Sequence, residues 1–178
     1  MTPFHDTDDE QIVRALALCV ADANILFDLR NGRILTTLAA LPYRFIVPDV
    51  VFAELDAPLR GTVQGLGFEI GGLGAERVGE IFALRPEYPR LSVADLFTLF
   101  VARDRQAMLL TGDARLRRLT ESHGLVVHGV LWVLDELFAQ QVLDGEEALT
   151  ALEHILALGA RLPDSECQKR RRQWKRSM

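Results

Sequence analysis

The chain has 178 residues, of which 49% are hydrophobic and 25% charged, and its formal net charge at pH 7 is −5. This composition is ordinary for a soluble globular protein with one core, so a single domain is expected. No apolar run approaches the roughly 20 residues that a membrane-spanning helix needs, and residues 12–20 lack the basic flank of a secretion signal. The sequence therefore predicts a cytoplasmic protein.

The charge is unevenly distributed along the chain. Six of the 20 Lys and Arg residues lie in the last ten positions, so the rest of the chain carries −11. An acidic body repels nucleic-acid backbones unless bound cations or local arginine clusters offset it. Any role in nucleic-acid binding must therefore depend on local features.

Short apolar strands alternate with helical stretches in chain order. Strands are predicted at residues 17–23, 45–47, 68–70, 107–111 and 125–130, and helices at 24–29, 33–41, 49–55, 75–84, 92–105, 114–124, 131–143, 144–159 and 165–176. Asn24 is expected to cap the first helix, and Pro48 fits the first turn of the helix over 49–55. Repeated strand and helix implies a parallel sheet covered by helices on both faces.

The chain divides into a domain and two extensions. We expect an N-terminal extension over 1–17, the main domain over 18–143, and a C-terminal helical extension with a basic tail over 144–178. The glycine-rich stretch 61–74 is predicted to be mostly loop. Its spacing, Gly65-x-Gly67-x-x-x-Gly71, departs from the dinucleotide-binding pattern, which argues against that class of site here.

Four acids are expected at one edge of the sheet. Asp22 ends the first strand, Glu54 lies about two turns into the helix after the second, and Asp95 and Asp113 flank the strand over 107–111. The helix from Asp95 descends roughly 15 Å, and the following strand climbs back roughly 17 Å, so Asp95 and Asp113 should meet. Open α/β sheets bind ligands at this carboxyl edge.

Each acid also has a purely structural explanation. Asp113 can cap a helix, Asp22 can make a local turn bond, Glu54 can be solvated, and Asp95 has capping-box spacing from Ser92. Together, however, four carboxylates would repel one another unless a cation neutralised them. Oxygen ligands select hard ions such as Mg²⁺ or Mn²⁺, and the chemistry that such a site implies is phosphodiester hydrolysis.

The motifs that carry these acids resemble those of PIN-domain ribonucleases, particularly the small bacterial type that includes VapC toxins. The matching segments are VADANIL, VPDVVFAEL, LSVADLFTLFVA and LLTGDARLRRL, and GLVVHGVLWVL continues the similarity. The resemblance implies a PIN-like three-layer α/β/α sandwich around a parallel sheet of five strands. It further implies that Asp22, Glu54, Asp95 and Asp113 are catalytic, metal-binding acids, with Asn24, Ser92 and Thr111 orienting carboxylates or water.

The same resemblance implies Mg²⁺ or Mn²⁺ as cofactor, cleavage of single-stranded RNA, self-association as a homodimer and, for a toxin, a small antitoxin partner. Two alternatives remain open. One is an RNA-processing PIN nuclease without an antitoxin, and the other is a catalytically silent RNA-binding or scaffold domain.

Basic segments supply candidate RNA contacts. Arg115, Arg117 and Arg118 follow Asp113 directly and are candidates for binding RNA phosphates, although they also fit a solvated helix face. In the tail, Lys169, Arg170, Arg171 and Arg172 are further candidates, with Trp174 either stacking on a base or packing on the body or a second subunit. Weaker site candidates are Asp28, Asp104 and His128.

Overall fold

The protein forms one parallel β-sheet of five strands, as the alternating pattern predicts. The computed structural model describes residues 17–177. The strand order is β3-β2-β1-β4-β5, where the strands are β1 (Ala17–Ala21), β2 (Tyr43–Pro48), β3 (Glu69–Gly71), β4 (Met108–Leu110) and β5 (Val127–His128). The predicted N-terminal extension over 1–17 lies outside the described residues, apart from Ala17.

Helices follow the strands on both faces. They are α1 (Ala23–Asn31), α2 (Asp49–Glu54), α3 (Ala57–Gly65), α4 (Ala75–Leu84), α5 (Val93–Asp104), α6 (Ala114–Ser122), α7 (Val130–Ala139), α8 (Gly145–Ala157) and α9 (Asp164–Lys175). Over residues 17–177, no helix is long and apolar enough to cross a bilayer.

Two apolar clusters, one on each face of the sheet, make up the core. Successive side chains of a strand point to opposite faces. Cys19 and Ala21 of β1 accordingly join the cluster formed with α1, α2, α3, α7, α8 and α9, whereas Val20 joins the cluster formed with α4, α5 and α6. The architecture is therefore the expected three-layer α/β/α sandwich.

Helix α5 is buried more completely than its sequence pattern predicts. Val93, Phe97, Phe100 and Val101 repeat at a helical spacing that predicts one apolar face, but Leu96 and Leu99 are also fully buried. The helix contacts strands β1, β2 and β4 and the flanking helices α4 and α6, so several of its sides are covered by protein. This burial fixes the position of its first turn, where Asp95 lies.

The structure corrects the expectation of a loop in part of the glycine-rich stretch. Helix α3 occupies Ala57–Gly65 because Asp56 caps it, accepting from the Leu59 N–H at 2.9 Å, and because Leu59 and Val63 are buried. Capping and burial outweigh the poor helix propensity of glycine. The predicted helix over 33–41 is likewise reduced to a short 3₁₀ helix over Thr36–Ala40.

Helices α8 and α9 pack on the main body. Leu152, Ile155 and Trp174 belong to the same apolar cluster as α1 and α7. Trp174 is 0% exposed and lies 6.2 Å from Phe138 between ring centroids. Stacking of Trp174 on an RNA base is therefore excluded, and the alternative of packing on the body is confirmed.

Candidate active site

Asp22 links the end of β1 to the start of α1. Its Oδ1 atom accepts a hydrogen bond from the Ile25 N–H at 2.8 Å, so Asp22 is the N-cap of α1. The expectation that Asn24 caps this helix is wrong, because the helix begins at Ala23 and places Asn24 in its first turn. Asn24 is exposed there, and its role in orienting a carboxylate or water stays a prediction.

The end of β4 holds the other oxygen of Asp22. The Thr111 hydroxyl donates to Asp22 Oδ2, and the Thr111 oxygen accepts from the Asp113 N–H at 3.0 Å. The Asp22 N–H in turn donates to the Leu110 carbonyl at 3.2 Å. Thr111 thus connects the end of β1 to the loop that carries Asp113.

Asp22 is a buried carboxyl group with other carboxylates nearby. Only 3% of its surface is exposed, and burial raises its pKa to about 7. The hydrogen bonds from Thr111 and Ile25 lower the pKa, while the negative charges of Asp95 and Asp28 raise it. No Lys or Arg within residues 17–177 forms an ion pair with Asp22.

Asp95 and Asp113 both lie at helix starts beside this edge. Asp95 completes the expected capping box, in which its Oδ2 accepts from the Ser92 N–H at 2.7 Å and Ser92 Oγ accepts from the Asp95 N–H at 3.0 Å. Asp113 caps α6 by accepting from the Arg115 N–H at 2.7 Å and the Leu116 N–H at 2.8 Å, both through Oδ1. One oxygen of each carboxylate is therefore engaged with the backbone.

Glu54 is placed differently from the other acids. It is the last residue of α2, and its side chain is exposed. Helix α2 contacts α1 and α5, which carry Asp22 and Asp95 at their starts. The Glu54 carboxylate makes no hydrogen bond or ion pair in the described part of the chain, so its assignment to the site rests on the sequence motif.

The acids suit a hard divalent cation by type, but their side chains do not form a closed metal site. Within the described residues, no group of three or more His, Cys, Asp or Glu side chains is arranged to hold a metal ion. The donor set at the edge is nevertheless all oxygen, and Asp22 faces negative charge with no paired cation among residues 17–177. Such a set fits Mg²⁺ or Mn²⁺ better than zinc.

Asp28, a weaker candidate from the sequence, lies closer to the site than its position in the middle of α1 suggested. Its Oδ2 is 3.9 Å from where a Cβ on Gly112 would sit, and burial raises its pKa to about 6. It lines a cavity of about 470 Å³ together with Thr111, His128 and Trp132. Asn24 and Asp28 are four residues apart on one helix face, and this spacing is the sequence signal that could have identified it.

The other two weaker candidates have clear surroundings. His128 stacks on Trp132 with ring centroids 4.2 Å apart, and burial lowers its pKa. Asp104 lies at the far end of α5 from Asp95 and accepts from Arg77 Nε at 3.0 Å. Asp104 is therefore separated from the acidic edge, as the length of its helix predicts.

The three arginines of α6 serve different purposes. Arg117 donates to the Val127 carbonyl at 3.0 Å and to the Thr111 carbonyl at 3.3 Å, so it ties α6 to the strand ends. Arg115 and Arg118 are exposed. Only these two present an uncommitted charge toward solvent.

The basic tail is also divided. Arg170 binds Asp135 and Glu166, with its Nη2 atom 2.6 Å from Asp135 Oδ2, and Arg171 binds Glu153 at 2.8 Å. Lys169 and Arg172 are exposed. The charges of Arg170 and Arg171 are thus balanced by nearby acids. Lys169 and Arg172 form no ion pair within residues 17–177 and remain available to a ligand.

A comparison with protein-family models matches residues 18–176 to a family described as a PIN domain, DUF3368. A search of curated proteins gives no significant match. Among solved structures, a chain of the Rickettsia felis VapBC2 complex bound to a promoter DNA fragment is 19% identical, with a TM-score of 0.45, covering 63% of this chain and 98% of that one. A domain of a functionally unknown Methanocaldococcus jannaschii protein is 17% identical, with a TM-score of 0.44, covering 64% and 90%.

Proposed function

The chain belongs to the PIN-domain family DUF3368, and from this membership we propose that it is a metal-dependent endoribonuclease that hydrolyses RNA phosphodiester bonds. The observation that carries the proposal is the environment of Asp22. This acid is buried at the carboxyl edge of the sheet, its pKa is raised to about 7, and the charges of Asp95 and Asp28 act on it.

A structural role alone does not account for that environment. A helix cap functions on the surface, where its carboxylate stays hydrated and ionised. Burying a carboxylate near two others costs free energy, and such arrangements are typical of functional sites. A bound cation would offset that cost, which supports the choice of Mg²⁺ or Mn²⁺.

Asp22, Asp95 and Asp113 are the residues that would hold the cation, and the sequence motif adds Glu54. When bound, the ion supplies a Lewis acid that lowers the pKa of a water molecule and stabilises charge on the phosphate. Asp22 must be ionised for this role, and the Thr111 hydroxyl favours its ionised form and fixes its orientation. Ser92 likewise fixes the first turn of α5, where Asp95 lies.

The first experiment is RNA cleavage with Mg²⁺ or Mn²⁺ by the wild type and by Asp22→Asn and Asp95→Asn. We expect each substitution to reduce the cleavage rate by about two orders of magnitude, because each removes a charged ligand. Asp104→Asn is the matched control, since Asp104 lies at the other end of the helix that begins near Asp95. Cleavage by Asp22→Asn at the wild-type rate would reject the proposal.

Glu54→Gln tests the fourth acid separately. The motif predicts a similar loss of cleavage, although the Glu54 side chain is exposed at the end of α2. If Glu54→Gln cleaves as the wild type does, the site is built from the three aspartates without it.

Within this activity we propose the role of a toxin held inactive by a small antitoxin that covers the acidic edge. This finer proposal rests on the similarity of the sequence motifs to VapC toxins. Expression of the wild type should arrest growth, and expression of Asp22→Asn should not. A small open reading frame next to the gene, whose product restores growth, would supply the antitoxin. Cleavage without growth arrest would favour the RNA-processing alternative.

A further inference from the structure

A surface cleft beside the acidic edge concentrates positive charge on an otherwise acidic body. The cleft has a volume of about 490 Å³ and lies between residues 87–91 and helix α6. Its lining includes Arg90, Arg115 and Arg118, together with Tyr88. We use the name arginine cleft for this surface.

The three arginines are not neutralised by the part of the protein that the structure describes. None forms an ion pair with an acid within residues 17–177, although Glu87 also lines the cleft. By contrast, Arg77, Arg103 and Arg105 of the same face of the sheet are all paired with carboxylates. Three guanidinium groups that surround one concavity, and that have no acid partner among the described residues, have the chemistry of an anion-binding surface.

The cleft is lined by residues that adjoin the candidate active site along the chain, although none of the site acids lines it. Leu91, which lines the cleft, precedes Ser92 at the start of the helix that carries Asp95. On the other wall, Arg115 follows Asp113 by two positions and donates its backbone N–H to that carboxylate at 2.7 Å. A polymer held in the arginine cleft would therefore pass close to the starts of α5 and α6, where Asp95 and Asp113 lie.

The wall that carries Tyr88 is held in shape by local hydrogen bonds. The Tyr88 N–H donates to the Arg85 carbonyl at 3.2 Å, and the Tyr88 carbonyl accepts from the Leu91 N–H at 3.0 Å and from Arg85 Nη1 at 3.3 Å. Tyr88 is half-buried against the core, while Leu91 and Leu119 form an apolar floor. The cleft thus combines cations with an aromatic ring, which is the composition of sites that bind single-stranded nucleic acid.

We propose that the arginine cleft binds the single-stranded RNA next to the scissile phosphate, with Arg90, Arg115 and Arg118 contacting backbone phosphates and Tyr88 stacking on a base. This inference rests on the proposed nuclease function and names the surface that holds its substrate. The proposal gives the arginines of α6 two different roles. Arg115 and Arg118 contact RNA, whereas Arg117 connects the helix to the ends of the strands.

The test is binding of a labelled single-stranded oligoribonucleotide of about 12 nucleotides, followed by fluorescence anisotropy in EDTA, so that no metal-dependent cleavage occurs. The variant Arg115→Glu/Arg118→Glu should weaken binding by at least about tenfold. It should also make the slope of log K against log salt concentration shallower by about 1.4, because each phosphate contact to a single strand releases about 0.7 counterions and two contacts are lost. Arg115 lies in the first turn of α6, where an acidic residue is favourable, and Arg118 is an exposed residue in the middle of the helix, so the helix should persist.

The matched control is Lys175→Glu/Arg176→Glu, which changes the net charge equally at the end of α9 and involves no residue of the arginine cleft. Its affinity for the RNA should stay within about twofold of that of the wild type, because the variant changes the overall charge of the protein but leaves the proposed RNA contacts intact. Equal losses in both double variants, or no loss in the first, would overturn the proposal. Arg90→Ala repeats the measurement outside any helix, in case the first variant is unstable.

Tyr88→Ala should weaken binding several-fold without changing the salt dependence, and Tyr88→Phe should bind as the wild type does, because stacking needs only the ring. Unchanged binding by Tyr88→Ala would overturn the stacking contact. Displacement of the RNA by polyglutamate of equal charge would overturn the assignment to nucleic acid and indicate an acidic protein segment as the ligand.

Failure of this proposal and failure of the nuclease function give different results. RNA binding that depends on the arginine cleft, in a wild type that shows no cleavage with Mn²⁺, would support the cleft and reject hydrolysis. If Arg115→Glu/Arg118→Glu binds and cleaves RNA as well as the wild type does, the RNA-binding role of the arginine cleft is rejected and the proposed hydrolytic function is unaffected.

Discussion

Asp22 has two roles that make opposite demands on its surroundings. As a helix cap it needs only an oxygen that accepts from the Ile25 N–H, a task that many exposed residues perform. Its burial and the nearby Asp95 and Asp28 raise its pKa, which disfavours the ionised form. The native fold therefore holds a carboxyl group under electrostatic strain at the site proposed for catalysis.

This strain gives the stability of the protein a defined pH dependence. The pKa of Asp22 is about 7 in the folded state, against 3.8 for an unperturbed carboxyl, so the folded state binds the proton more tightly. In the absence of metal, the contribution of Asp22 to the free energy of unfolding should therefore be most favourable below pH 4. This contribution should fall as the pH rises toward and through 7.

Asp22→Asn should remove that dependence. At pH 8 we expect the variant to exceed the wild type in free energy of unfolding by up to about 4 kcal/mol, at about 1.4 kcal/mol per pKa unit. Denaturant unfolding in EDTA at pH 5 and pH 8 measures the difference. Glu121→Gln, a substitution at an exposed acid, is the control and should change little. Equal pH dependence of wild type and Asp22→Asn would contradict the expectation.

At the scale of elements, three helices begin at the acidic edge, and each has a site acid in its cap or first turn. Asp22 caps α1, Asp113 caps α6, and Asp95 closes the capping box of α5. The helix dipoles favour negative charge there, which offsets part of the repulsion among the acids. In Asp95 and Asp113 the capping oxygen leaves the other oxygen without a hydrogen bond from the described residues, whereas in Asp22 the second oxygen accepts from the Thr111 hydroxyl.

Trp174 is the largest apolar side chain that packs helix α9 on the body. The ring is 0% exposed, and its Nε1 atom has no hydrogen-bond partner in the described part of the protein. Trp174→Ala should reduce the free energy of unfolding by about 3–5 kcal/mol, because it leaves a cavity. Trp174→Phe should cost much less, since it retains an aromatic ring and loses no hydrogen bond. Chemical denaturation of both variants tests this, and equal costs would show that ring burial is not the stabilising feature.

At the scale of the whole molecule, the charge distribution separates two kinds of surface. Asp22, Asp95 and Asp113 lie at helix starts along the carboxyl edge of the sheet, and the arginine cleft holds cations that form no ion pair within residues 17–177. A divalent cation would neutralise the acidic edge, so an anionic polymer could lie across both surfaces despite the net charge of −5.

Metal binding should stabilise the protein and should do so more strongly at higher pH. Asp22 must lose its proton to bind a cation, so Mn²⁺ affinity should rise as the pH increases from 6 to 8, through the Asp22 pKa of about 7. At 100 times its dissociation constant, the ion adds about 2.7 kcal/mol to the free energy of unfolding. Thermal melts with Mn²⁺ at both pH values measure the effect.

The control for the metal titration is again Asp104→Asn, which should respond to Mn²⁺ as the wild type does. Asp22→Asn should show a much smaller shift in melting temperature at pH 8. A shift of the same size in wild type and Asp22→Asn would place the bound ion elsewhere on the protein.

The sequence by itself determined the order of the strands, most of the helices, the parallel sheet and the edge at which Asp22, Asp95 and Asp113 lie, but it missed helix α3. These follow from local information, because apolar periodicity sets each element and the lengths of helix and strand set where the chain returns. The capping box of Ser92 and Asp95 is also local, since its partners are three residues apart.

Only the tertiary structure decided which of the candidate side chains face a common space. Residues distant in the sequence decide three of these outcomes. They give Arg117 backbone partners that Arg115 and Arg118 lack, they pair Arg170 with Asp135, and they bury Trp174. The raised pKa of Asp22 depends on them as well, because burial by the surrounding elements is its largest cause. Burial and charge are sums over neighbours, and the neighbours are fixed only when the chain has folded.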